Sequence, residues 1–144
     1  MNAFSLDDSV GYTINIIATL LKRELNEEFK REGIEVMAEQ WALLLRLQEQ
    51  ADMNQLELAR ATSRDNASVT RSLAVLEKKQ LIQRRQADQD RRDKYLALTP
   101  AGQELVPRMV LCAQRVLQRA TKGISADEIR TLNLVIQKMT HNLI

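Results

Sequence analysis

Ser68, Thr70 and Arg71 fall within four consecutive positions: two hydroxyls that both donate and accept, and one guanidinium that donates through a planar fork. Further along, Arg91 and Arg92 lie in a stretch from Gln86 to Asp93 dominated by polar and charged residues. Such groups suit a polyanion, because they contact phosphate oxygens and base edges without a nucleophile, a metal or a cofactor. The other reactive side chains are isolated. The single cysteine, Cys112, and the single histidine, His141, are 29 residues apart, which excludes an internal disulfide, an ordinary Cys/His zinc site and an evident nucleophile and base pair. Gly11, Gly33, Gly102 and Gly123 are too scattered to build a phosphate-cradling loop. No catalytic residue, metal ligand or cofactor site is expected, and an enzyme is not.

The chain of 144 residues has a formal net charge of +2, from 21 Lys and Arg against 19 Asp and Glu. That sum conceals an uneven distribution: residues 1–58 carry a net −6, residues 59–94 a net +5 and residues 95–144 a net +3. Phosphate attraction is local and screened within about 8–10 Å, so a basic segment on an acidic body is what nucleic-acid contact requires. Ser68, Arg71, Arg91 and Arg92 all fall in the basic segment.

Hydropathy spacing supplies the elements that must hold these residues. With 44% apolar and 28% charged residues but only 4 Gly and 2 Pro, the chain reads as one mostly helical domain. Val10, Ile14, Ile17, Leu21, Leu25 and Phe29 make one stripe of a long opening helix that ends before Gly33. Trp41, Leu44, Leu45 and Leu47 place a second helix reaching about Gln50, with Trp41 on its core face. Asn54 and Glu57 form a loose capping box for a short third helix ending near Ala61. The cap and turn formers from Thr62 to Asn66 lead into a fourth helix, about Asn66 to Lys79, with Val69, Leu73 and Leu76 inward and Ser68, Thr70, Arg71 and Ser72 presented opposite.

Leu81 to Arg85 and Lys94 to Leu98 read as paired strands whose hairpin tip carries Arg91 and Arg92. Thr99 caps a fifth helix with Pro100 at its first position and Leu105, Met109, Cys112 and Val116 on its stripe. Cys112 is therefore read as a small buried hydrophobe, with an oxidation sensor as the alternative. Ser125 and Glu128 box the start of a last helix bearing Ile129, Leu132, Ile136, Met139 and Leu143. The start of the chain lacks a signal-peptide pattern and no run approaches a membrane span, so the expected location is the cytoplasm.

Helix, short helix, turn, helix and arginine-tipped hairpin follow the order of a winged helix-turn-helix, whose second helix of the pair enters the DNA major groove. The expected fold class is mainly α with a small two- to three-stranded β wing. Gln55-Leu56-Glu57-Leu58-Ala59, Val69-Thr70-Arg71-Ser72-Leu73, Leu76 to Ile82, and Asp90-Arg91-Arg92-Asp93-Lys94 leading into Leu98-Thr99-Pro100-Ala101-Gly102 resemble the MarR-type winged-helix regulators over nearly the whole chain.

The resemblance implies a homodimer on a pseudo-palindromic stretch of double-stranded DNA, a repressor, released by a small-molecule effector bound between the first, second and fifth helices. A winged-helix module that bridges proteins without reading DNA, and a redox-switched regulator acting through Cys112, are the alternatives. DNA contact falls to Asn66, Ser68, Thr70, Arg71, Arg91 and Arg92, with Asp90 supporting the wing arginine. Residues 1–144 are expected to form a single domain, with its winged core at about 36–99 and dimerisation helices at about 6–32 and 100–143. The chain departs from the family pattern in two places: Gln80 stands where glycine is usual, and Met37-Ala38 replace the usual capping pair.

Overall fold

The structure, a computed structural model, describes residues 3–62, 64–86 and 94–144. In chain order its elements are α1 (Val10–Arg31), α2 (Ala38–Glu49), α3 (Gln55–Ala61), α4 (Asn66–Lys78), β1 (Ile82–Gln86), β2 (Lys94–Leu98), α5 (Pro100–Ala120) and α6 (Ala126–Leu143). This is the expected winged helix-turn-helix, mainly α with a small β wing.

Three helices start on the predicted caps. The side-chain oxygens of Asn54, Thr99 and Ser125 accept from the N–H groups of Glu57, Gly102 and Glu128, satisfying donors that a helix start leaves without partners. At α2, where Met37 brings no capping oxygen, the cap comes from a distance: Asn26 Oδ1 of α1 accepts from the Ala38 N–H at 2.7 Å, and Gln40 Oε1 accepts from the Met37 N–H at 2.9 Å. One side chain of α1 thus both caps α2 and fixes it in place.

Gln80 adopts the left-handed conformation that its position demands, with φ at 60°. Its N–H donates to the Glu77 carbonyl at 2.9 Å and the Leu81 N–H to the Leu76 carbonyl at 3.0 Å, the paired bonds that close a helix C-terminus. Leu81 is spent on that closure, so β1 begins at Ile82 rather than at Leu81. The Leu81 carbonyl accepts from the Thr99 N–H at 3.0 Å and lies so near the first turn of α5 that a Cβ on Gly102 would sit 2.2 Å from it. Only glycine fits there.

α2 is central, packing against α1, α3, α4, α5 and β2. Leu43 and Leu44 meet Leu58, Val69, Leu73, Leu76 and Leu96 in a core where each of these is fully buried. Trp41 is half-buried at its margin, edge-on to Phe29 with ring centroids 6.4 Å apart. Two readings of side-chain direction need correction. Ser72 is buried with the apolar stripe of α4 rather than presented opposite it, and in α5 Val106 takes the fully buried position expected of Leu105.

β1 and β2 pair antiparallel, from Ile82 opposite Leu98 to Gln86 opposite Lys94. Leu96 also donates its N–H to the Met53 carbonyl at 2.8 Å, so one residue of the α2–α3 connection adds a third, single-bridge edge. Elsewhere, α1 and α5 are joined by charge. Glu24 and Glu28 of α1 and Glu32 just past its end recur every four residues; Arg119 Nη1 donates to Glu28 Oε1 at 2.8 Å and Arg115 Nη1 to Glu32 Oε1 at 3.1 Å. Part of the acidic excess of the first 58 residues is therefore matched by arginines of α5.

α6 differs from the other long helices because it buries none of its residues. Leu132, Leu134, Val135 and Ile136 are 38% to 53% exposed, and Val10, Ile14 and Ile17 at the start of α1 are comparably open. No helix among the described residues is long and apolar enough to cross a membrane.

Candidate nucleic-acid interface

The first turn of α4 is organised by Asp65. Its Oδ1 accepts from the Ser68 N–H at 2.8 Å and its Oδ2 from the Ser68 hydroxyl at 2.8 Å, while Arg71 Nη2 donates to Ser68 Oγ at 3.2 Å. The Ser68 N–H, with the hydroxyl and the nearby Arg71 charge adding, holds the Asp65 carboxyl below its usual range. Asp65 thus stays ionised and keeps Ser68 and Arg71 in one connected group.

Asn66 and Thr70 occupy the neighbouring face. Thr70 Oγ1 donates to the Asn66 carbonyl at 2.8 Å, and Gln55 Nε2, from the first turn of α3, reaches both Thr70 Oγ1 at 2.7 Å and Asn66 Oδ1 at 3.0 Å. Behind them Arg64 spans α2 and α4: Nη1 donates to the Glu39 carbonyl at 2.7 Å and Nη2 to Ser72 Oγ at 3.1 Å. Ser72 is buried because its hydroxyl serves this bridge. On the other side, Arg84 Nε of β1 donates to Glu77 Oε1 of α4 at 2.9 Å, tying the wing to the same helix.

Asn66, Thr70 and Arg71 are exposed and Ser68 is partly so, and all four share the N-terminal end of α4. A 13-residue helix is about 20 Å long and an α-helix fits a DNA major groove about 12 Å wide, so this end can approach base edges. Arg91, Arg92 and Asp90 lie outside the described residues. The strands leading to them are described, and they carry Arg84, Arg85 and Lys94 on exposed positions. Gln55, Arg64 and Asp65 hydrogen-bond to side chains of α4, and their sequence positions alone did not mark them for the site. Arg64 was the visible signal, a long cation among short cap formers.

Between α1, α2 and α5 lies an apolar cleft of about 260 Å³, lined by Leu21, Leu25, Trp41, Val116 and Leu117 among others, with Lys22 its one charged lining residue. Cys112, on α5, is fully buried. Burial pushes its thiol pKa up, helped by Glu32 and Glu28, and outweighs the pull of Arg115 and Arg108. A thiol so held is a poor nucleophile.

Residues 37–94 match the MarR family model. Across the whole fold the chain is similar to BpsR of Bordetella bronchiseptica, from a structure concerned with regulation of its DNA binding by 6-hydroxynicotinic acid: TM-score 0.86, 22% identity, 96% of this chain and 98% of that one. It is similar to S. aureus MepR in complex with DNA at TM-score 0.82 and 25% identity, over 97% of this chain and 100% of that one. A mutant E. coli MarR in complex with operator DNA superposes at TM-score 0.83 and 26% identity, over 96% of this chain and 99% of that one.

Proposed function

We propose that the chain, whose residues 37–94 match the MarR family model, is a DNA-binding transcriptional regulator acting as a homodimeric repressor. The observation that carries the reading is the N-terminal end of α4, where Asn66, Thr70 and Arg71 are exposed together on a helix clamped to α2, α3 and β1. Similarity to MepR and MarR structures that contain DNA supports it. In this reading Asn66, Ser68, Thr70 and Arg71 face the major groove, Arg91 and Arg92 reach the adjacent minor groove, and Asp90 orients the wing arginine.

The dimer follows from the uncovered apolar faces. Residues 1–144 form one domain in which the winged core at about 36–99 is flanked by helices at about 6–32 and 100–143. The open faces of α1 and α6 pair with those of a second copy. Two recognition helices related by a two-fold axis read a pseudo-palindromic operator with half-sites about one helical turn apart. The cleft between α1, α2 and α5 takes a largely apolar small molecule, which lowers DNA affinity by binding the non-competent dimer more tightly.

Selection of bound fragments from genomic DNA, followed by a salt titration on the best fragment, tests the reading. Log affinity is expected to fall steeply with log salt, and Arg71→Ala to weaken binding about tenfold or more. If no fragment is enriched, or if Arg71→Ala binds as the unsubstituted chain does, the reading fails.

A further inference from the structure

Hydrogen-bond accounting at the start of α4 leaves few groups free to read a base. Thr70 has one hydroxyl hydrogen, and it goes to the Asn66 carbonyl oxygen, which accepts and never donates. The Gln55 atom 2.7 Å from Thr70 Oγ1 must therefore be the one that donates, Nε2. That same nitrogen lies 3.0 Å from the Asn66 side chain, so the Asn66 atom facing it must accept, and is Oδ1. One backbone carbonyl thus fixes the orientation of both side-chain amides.

The consequence is a restricted surface. Asn66 turns Oδ1 toward Gln55 and leaves the two N–H donors of Nδ2 for the groove, Thr70 has no hydroxyl hydrogen left to donate and keeps its methyl group and one lone pair, and the Ser68 hydroxyl hydrogen goes to Asp65. An asparagine free to use both ends of its amide reads adenine bidentately, accepting from N6 and donating to N7. Here the accepting end is turned toward Gln55.

We propose that Gln55 is a positioning residue for base reading: by holding Asn66 Oδ1 it presents the donor end of Asn66, beside the Thr70 methyl group, to the groove, directing the first turn of α4 toward the acceptor edges of guanine or thymine and away from adenine, whose N6 amino group would face a second donor. The proposal rests on the DNA-binding reading above and deepens it. Gln55 touches no base in this arrangement. It acts through the two side chains it orients.

The test measures relative affinities of the full chain for an operator carrying each of the four bases at every position of one half-site. The unsubstituted chain is expected to disfavour adenine against guanine or thymine by roughly three- to tenfold at the position facing Asn66. Gln55→Glu presents only acceptors, so Asn66 turns over to donate to it and exposes Oδ1. Preference at that position then moves to the amino-bearing bases adenine and cytosine. Gln55→Ala leaves Asn66 free to turn and to use both ends of its amide, so adenine gains on guanine and thymine at that position.

Ratios among bases are the readout, since the added charge of Gln55→Glu lowers affinity for all sequences alike. If both variants keep the base order of the unsubstituted chain, or change all positions equally, the proposal is overturned while the DNA-binding reading stands. If the unsubstituted chain discriminates no DNA sequence at all, both fall. Circular dichroism of each variant confirms its fold, and Gln55→Ala decides the matter should Gln55→Glu fail to fold.

Discussion

α4 and α6 are built on the same helical period but meet opposite environments. In α4, Val69, Leu73 and Leu76 are fully buried; in α6, Leu132 and Ile136 occupy the equivalent kind of stripe and remain 53% and 38% exposed. Amphipathic spacing reports that a face must be covered, but the identity of the cover comes from topology. α4 is covered by α2, α3 and β1 of its own chain. The face of α6 awaits the second copy proposed above, so stability of the two regions should respond to different variables.

The largest contrast is expected from truncating the two stripes. Leu73→Ala should lower unfolding stability by about 2–5 kcal/mol through lost burial and a residual cavity, whatever the protein concentration. Leu132→Asp should leave the winged core folded but shift sedimentation from dimer to monomer, and should make the remaining thermal transition independent of concentration. Equal losses of core stability from the two substitutions, measured by urea denaturation under monomeric conditions, would erase the distinction.

A smaller effect is expected outside both stripes, where α5 is joined to α1 at the buried Glu28 carboxylate. Hydrogen bonding from Arg119, with Arg31 and Arg115 adding charge, lowers its pKa against the opposing effect of burial. A folded-state pKa below the unfolded one contributes stability that is complete above the ordinary value of 4.5 and is lost as pH falls through the lowered folded value. Glu28→Gln should therefore cost about 1–3 kcal/mol at neutral pH, with the gap to the unsubstituted chain closing in acid. Thermal denaturation between pH 7 and pH 3 measures it. A constant gap across that range would place the cost in packing rather than in charge.

What could be read in the sequence divides along a similar line. Features set by residues three or four apart were legible: the caps at Asn54, Thr99 and Ser125, and with them the order of the elements. Contacts between distant side chains and backbone were not, since spacing does not encode them. Asn26 caps α2 from 12 residues away and Arg64 reaches Glu39 across 25. Ser72 shows the cost of judging by residue type: its position, three after Val69 and four before Leu76, belongs to the buried stripe, and only its hydroxyl suggested otherwise. Of the residues proposed to contact DNA, those of α4 are brought together. Arg91 and Arg92, read from the spacing as a hairpin tip, lie outside the described residues, and the described pairing of β1 and β2 ends at Gln86 and Lys94.

The smallest effect is expected at the C-terminus of α4, where α1 supplies an internal control. Both helices end with the same pair of backbone hydrogen bonds, but α1 does so through Gly33 at φ 69° and α4 through Gln80 at φ 60°. A side chain in the left-handed region costs roughly 1–2 kcal/mol of backbone strain, while glycine there adds back about 0.5–1 kcal/mol of unfolded-state entropy. The difference favours glycine. Gln80→Gly should raise stability by about 0.5–1 kcal/mol, and Gly33→Gln should lower it by a similar amount, both read as shifts of the thermal midpoint. The prediction is sharp because Gln80 is exposed and lies outside the buried core that the substitution could disturb. A loss of stability in Gln80→Gly would mean that the glutamine side chain stabilises the turn into β1 by more than the strain it imposes.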